Sequence, residues 1–167
     1  MNILVVLLRL IHIVSAVSWF GMGLTLMLIF PALDSMGDKR YQTDFVLFTR
    51  TRLVMLFPII SGVATLMGIL LYITGSSANF TTLGNISLGL GALIGIGAAG
   101  HGGAATGKYT KEYAAALTDA VKDNQPIPSD KLAKLQELAA KVTMHSRMSA
   151  MMTFAALVLM ASARYLA

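Results

Sequence analysis

Four long apolar runs, separated by polar connections, dominate the pattern of this chain. They cover about residues 3–30, 53–74, 83–107 and 142–166. A helix needs about 20 apolar residues to cross the hydrocarbon core of a bilayer, and each run reaches that length. The pattern therefore predicts an all-α fold, an integral membrane four-helix bundle in which residues 1–167 form a single domain. The first helix is predicted to stop at Phe30, because Pro31 and a charged segment follow.

The connection between the third and fourth runs has helical patterning of its own. KYTKEYAAALTDAVK and SDKLAKLQELAAKV both have apolar residues at helical spacing, and they flank the turn DNQPIPSD. Pro126 and Pro128 break the helix at that turn. We expect spans three and four to continue beyond the membrane as a cytoplasmic helical hairpin.

Composition and charge support a membrane protein and set its orientation. The chain is 56% hydrophobic and 13% charged, with a mean hydropathy of +0.70, which excludes an ordinary soluble domain. Of 13 Lys and Arg, four lie between spans one and two and seven lie in or beside the connection between spans three and four. The positive-inside rule makes that face cytoplasmic and places both termini outside. The net charge of +5 does not indicate nucleic acid, because the basic residues flank apolar spans.

Small residues recur along the third span. Gly91, Gly95, Ala99 and Gly103 are spaced by four and form a ridge that lets another helix approach closely. Gly97 lies four residues before His101, which clears room on the face of that histidine. The ridge also predicts a homo-oligomer.

The three histidines differ in predicted depth. At 1.5 Å per residue, His101 and His145 both lie roughly 27–31 Å from the outer face, on neighbouring helices. Two imidazoles at one depth are what a low-spin haem b requires, so this pair is the leading candidate for axial ligands. Arg147, Lys108 and Lys141 are placed to bind haem propionates at the inner site, and Arg9 or Arg164 at an outer one. His12 belongs to the outer half, where it could bind a second haem with a methionine, relay protons or bind a quinone.

Copper is a rival cofactor. A methionine stripe lies beside His145, and imidazole with thioether ligands suits Cu(I); its members are Met144, Met148, Met151 and Met152. The chain has no cysteine, which excludes disulfides and thiolate metal sites. All eight acidic residues fall in the cytoplasmic connections, so we expect no buried carboxylate for proton pumping or acid/base catalysis in the membrane.

The segment LIHIVSAVSWFGMGLTLMLIFPAL resembles the first helix of a group of small four-helix bacterial membrane proteins. The group includes the copper-resistance D type, the membrane protoporphyrinogen oxidase and uncharacterised families with an LH-I-x(5)-W-x-G opening. His12, Trp19 and Gly21 or Gly23 match that opening, and LVLMASARYLA resembles the close of one uncharacterised family. The resemblance implies haem b or copper, favours His12 as a ligand, and implies a bacterial inner membrane.

The sequence thus predicts a membrane b-type cytochrome that transfers electrons between a membrane or periplasmic donor and quinone or a small oxidant. Its candidate axial and metal ligands are His12, His101 and His145, with Trp19 packing on the ring. A haem-dependent porphyrin oxidase and a Cu(I) transport or binding protein are the alternatives. The expected partners are the lipid bilayer, a quinone or redox protein and a second copy of the chain.

Overall fold

The computed structural model describes residues 3–74, 82–121 and 125–166, and these ranges are almost entirely helical, with no β-strand. The helices are α1 (Ile3–Asp34), α2 (Arg40–Phe45), α3 (Leu53–Thr74), α4 (Leu83–His101), α5 (Gly107–Ala120) and α6 (Ser129–Ser162). A π-helical turn, Gly102–Thr106, joins α4 to α5 without a break.

Four helical segments in the described ranges are long and apolar enough to cross a membrane: α1, α3, the continuous α4–α5 rod and α6. The predicted all-α four-helix bundle is confirmed. The predicted hairpin is also confirmed, since α5 and the first part of α6 pack together beyond the apolar spans. Its position on the cytoplasmic side stays a prediction.

The first helix is longer than predicted. Instead of ending at Phe30, α1 runs through Pro31 to Asp34. Proline lacks a backbone N–H, so within the last turn it removes only one helical hydrogen bond. The Pro31 carbonyl still accepts a bond from the Ser35 N–H at 3.2 Å, which completes the final turn.

The glycine ridge of α4 packs against α6 over part of its length. A Cβ built on Gly91 would lie 2.8 Å from Met160 Cγ and 3.1 Å from the Ala156 carbonyl oxygen. Gly91 therefore permits an approach that a larger residue would prevent. A Cβ on Gly103 would meet nothing within 4 Å, so the predicted ridge does not extend that far. The room beside Gly97 is taken by Met152, whose Cε would lie 3.3 Å from a Cβ there.

One carboxylate is completely buried, contrary to what its position in a polar connection suggests. Asp44 in α2 has no exposed surface. Its Oδ2 accepts hydrogen bonds from Arg40 Nε at 3.1 Å and from the Tyr113 hydroxyl at 2.5 Å. This network ties α2 to α5 beneath an apolar cluster that includes Phe48 and Phe30. The carboxylate lies outside the four apolar spans, so it anchors the hairpin end of the bundle.

Candidate functional site

His101 and His145 form a direct imidazole pair between α4 and α6. His101 Nε2 lies 3.1 Å from His145 Nδ1, within hydrogen-bond distance. The ring centroids are 5.2 Å apart and the ring planes are inclined by 42°. The predicted common depth of these two residues is therefore confirmed by their contact.

Ser149 holds the other ring nitrogen of His101. His101 Nδ1 lies 3.0 Å from Ser149 Oγ, which in turn lies 3.1 Å from Thr106 Oγ1. Ser149 is buried and lies four residues after His145, so both project from the same face of α6. Thr106 belongs to the π-helical turn that begins directly after His101, and such turns are frequent at functional sites.

The hairpin side of the pair is covered by an aromatic ring. Tyr109 stacks on His145, with ring centroids 5.0 Å apart and an interplanar angle of 16°. The ammonium groups of Lys108 and Lys141 lie 5.5 and 5.3 Å from the centroid of the Tyr109 ring. The pair therefore borders a basic surface.

A haem sandwiched between His101 and His145 does not fit this arrangement. Axial ligation places the two imidazoles on opposite sides of the porphyrin plane. Here the 3.1 Å contact between Nε2 and Nδ1 closes that space. Haem ligation by this pair would require the hydrogen bond to break and the rings to separate.

His12 lies in a different environment, between α1 and α3. Its Nδ1 lies 2.7 Å from the carbonyl oxygen of Ala64. A carbonyl only accepts, so Nδ1 carries a proton, and in the neutral ring Nε2 keeps the lone pair. Gly68, one turn after Ala64, makes room for the ring: a Cβ there would lie 2.8 Å from His12 Cε1 and 3.2 Å from Nδ1.

His12 lines a large apolar groove between α1, α3, α4 and α6, with a volume of about 790 Å³. Arg9 and the buried Trp19 line the same groove on the α1 side, and Met160 lines it on α6. Three predicted site residues of α1, namely His12, Arg9 and Trp19, thus line the same groove.

The remaining candidates are Arg147 and the methionine stripe, of which Met152 packs against Gly97, one turn before His101. Arg147 is exposed and lines a polar cavity of about 610 Å³ that also contains Arg40. It lies two residues from His145, and residues at that spacing do not share a helix face. Three members of the methionine stripe are exposed by half or more, namely Met144, Met148 and Met151.

Sequence reasoning missed the neighbouring groups that orient the histidine rings. Ser149 could have been found from its spacing of four from His145. The Ala64 carbonyl and Gly68 had no such signal, because backbone acceptors and the room beside a glycine depend on how α1 and α3 pack.

In the described ranges, no group of three or more His, Asp or Glu side chains is arranged to hold a metal ion.

No family model, curated protein or solved structure matches this chain.

Proposed function

We propose that this chain is a membrane b-type haem protein that transfers electrons, with its haem in the apolar groove and His12 as an axial ligand. The observation that carries the proposal is the state of the His12 ring. Its Nδ1 donates to the Ala64 carbonyl, and its Nε2 has no hydrogen-bond partner among the described residues. A free imidazole nitrogen at the wall of a 790 Å³ apolar groove is suited to bind iron.

The hydrogen bond to Ala64 has the form expected of a metal ligand. Metal-binding histidines nearly always donate their second ring N–H to a carbonyl, carboxylate or water, which fixes the tautomer and the ring orientation. In His12 the acceptor is a helix carbonyl that cannot rotate. The ring is therefore oriented before any ligand binds.

The lining of the groove suits a flat molecule with one acidic edge. Its surface is largely apolar, with side chains such as Trp19 and Leu157. Arg9 lies three residues before His12 on the same helix face and supplies a cation for propionates. Met160 on α6 lines the same groove and offers a thioether, and a His/Met ligand set raises the reduction potential of haem iron.

The groove opens on the outer surface of the bundle. Leu93 and Tyr72 line it and are 68% and 47% exposed. In a bilayer such side chains face lipid, so a lipid-soluble donor or acceptor such as a quinone can approach along the membrane. When bound, haem supplies one-electron redox chemistry. The chain orients it through His12, holds its acidic edge through Arg9 and excludes water with apolar walls.

The test is an absorption spectrum of the detergent-purified protein, oxidised and dithionite-reduced. The affinity tag used for purification should contain no histidine, and the cells that express the protein should be supplied with a haem precursor. The spectrum of His12→Ala is compared with those of His101→Ala and His145→Ala, two control variants that each lack one other histidine. The proposal expects a Soret band and a sharp reduced α-band that are lost in His12→Ala and retained in the other two variants.

Two results would contradict the proposed haem site. If the haem bands disappear in His101→Ala and His145→Ala but persist in His12→Ala, haem binds at the inner pair after the rings separate. If the wild-type protein shows no Soret band even after haemin is added, the groove does not bind haem.

A further inference from the structure

The His101–His145 pair has no role in the proposed haem site, yet it brings two imidazole nitrogens within 3.1 Å of each other. Both rings are half-buried between α4 and α6 at the hairpin end of the apolar spans. Once the proton shared in the hydrogen bond between the rings has left, both facing nitrogens have a lone pair and can bind a single ion.

The distance between the two nitrogens is close to the one that a tetrahedral ion requires. Zn²⁺ binds imidazole nitrogen at about 2.0–2.1 Å, so a tetrahedral ion holds two such nitrogens roughly 3.3 Å apart. The observed separation of His101 Nε2 and His145 Nδ1 is 3.1 Å. A linear two-coordinate ion at the same bond length would need about 4 Å. The observed separation is also that of an ordinary hydrogen bond; a tetrahedral ion would widen it by only about 0.2 Å, whereas a linear ion would widen it by about 1 Å.

The remaining contacts of His101 are those of an oriented ligand. With its Nδ1–H donated to Ser149 Oγ at 3.0 Å, Nε2 is left with the lone pair that a metal requires. Ser149 is itself fixed by Thr106 Oγ1 at 3.1 Å. His145 contributes Nδ1 once its proton moves to Nε2 by exchange with water, and the stacked Tyr109 ring keeps the plane of this imidazole in place.

The chemistry of the donors narrows the class of ion. Imidazole nitrogen suits Zn²⁺, Cu²⁺ and Ni²⁺, whereas Mg²⁺ and Ca²⁺ require carboxylate and carbonyl oxygens. Met144 and Met148, on the same helix as His145, are exposed by half or more, so imidazole is the donor that the pair itself offers. Two protein ligands leave two positions of a tetrahedral ion for water, one more than the single open position of a catalytic zinc site.

We propose that His101 and His145 form a binding site for one divalent borderline transition metal, of which Zn²⁺ is the probe, with Ser149 as the residue that positions His101. The ion enters from the hairpin end of the bundle and displaces the hydrogen bond between the rings. The site does not depend on the proposed haem, since it uses different residues of the bundle.

The experiment is a competition titration of the purified full chain with Zn²⁺ and a chromophoric chelator. The protein should carry no histidine tag, because added histidines would bind zinc themselves. The only His or Cys residues present are then the three histidines of the chain. The expected result is one Zn²⁺ per chain in the wild type. His101→Gln and His145→Gln should each weaken binding by tenfold or more. Ser149→Ala should weaken it by about 10–100-fold, the usual cost of removing an outer-shell partner.

Matched controls separate this site from the haem groove and from general damage. Ser162→Ala removes a hydroxyl elsewhere on α6 and should leave zinc affinity unchanged. His12→Gln should lose haem yet bind zinc as the wild type does, so failure of one proposal is distinguishable from failure of the other. Gel filtration and circular dichroism report whether each variant is folded.

The visible absorption of bound Co²⁺ tests the site in the wild-type protein alone, without any variant. A tetrahedral site would show intense visible d–d bands that Zn²⁺ abolishes. Zinc binding that is unaffected by His101→Gln and His145→Gln, or a wild-type protein that binds neither ion, would overturn the proposal. In the second case the pair is a structural contact between α4 and α6.

Discussion

Replacing Gly68 by alanine would place a methyl group where the His12 ring now lies. The new Cβ would be 2.8 Å from His12 Cε1 and 3.2 Å from Nδ1. Carbon atoms in contact normally lie about 3.5–4.0 Å apart, so the imidazole must move. Because its Nδ1 is held by the Ala64 carbonyl at 2.7 Å, such a movement lengthens or breaks that hydrogen bond.

The consequences for stability and for haem binding differ in size. Loss of one hydrogen bond costs about 0.5–1.5 kcal/mol, whereas alanine in place of a helical glycine contributes about 1 kcal/mol. The two nearly cancel, so Gly68→Ala should stay folded with little change in thermal stability. Loss of the partner that orients a metal ligand weakens metal binding by about 10–100-fold. We expect haem affinity to fall by that factor.

Gly62→Ala is the matched control on the same helix. A Cβ at this position would meet nothing within 4 Å, so the variant changes helix propensity without touching His12. Haemin is titrated into each purified protein, and thermal unfolding in detergent is followed by circular dichroism. The reasoning is refuted if Gly68→Ala and Gly62→Ala bind haemin with the same affinity as the wild type.

Two further substitutions test the packing of the bundle. Tyr113→Phe removes one of the two hydrogen bonds to the buried Asp44 carboxylate, and we expect a loss of about 1–3 kcal/mol in the free energy of unfolding; Tyr165→Phe, at a 78% exposed residue, should show no such loss. Gly91→Ala inserts a Cβ into the contact between α4 and α6 and should cost about 1–3 kcal/mol relative to Gly100→Ala, which meets nothing within 4 Å and has the same gain in helix propensity. Equal melting temperatures within either pair would contradict these contacts.

The sequence predicted the parts of the fold that depend on hydrophobic periodicity. The four apolar runs and the helical hairpin follow directly from residue patterns, and both are present. The end of α1 was predicted too early, because a proline in the last turn of a helix costs only one hydrogen bond. Depth counting brought His101 and His145 together correctly, since both lie on helices with a regular rise.

What the sequence could not provide was the immediate surroundings of each histidine. Depth alone made His101 and His145 a haem pair, but the interhelical distance leaves them in direct contact. The orientation of His12 depends on the Ala64 carbonyl and on the room beside Gly68. Both come from the packing of α1 against α3, which residue patterns do not specify. The burial of Asp44 likewise depends on Tyr113, which is distant in the sequence.

The most direct test of the central claim is haemin titration into the purified apo-protein, with His12→Ala measured beside the wild type. The account predicts that the wild type binds one haem with a shifted Soret band, and that His12→Ala loses this high-affinity binding while its helical content is unchanged. Equal haemin affinity and an identical Soret band in the two proteins would contradict the assignment of His12 as the axial ligand.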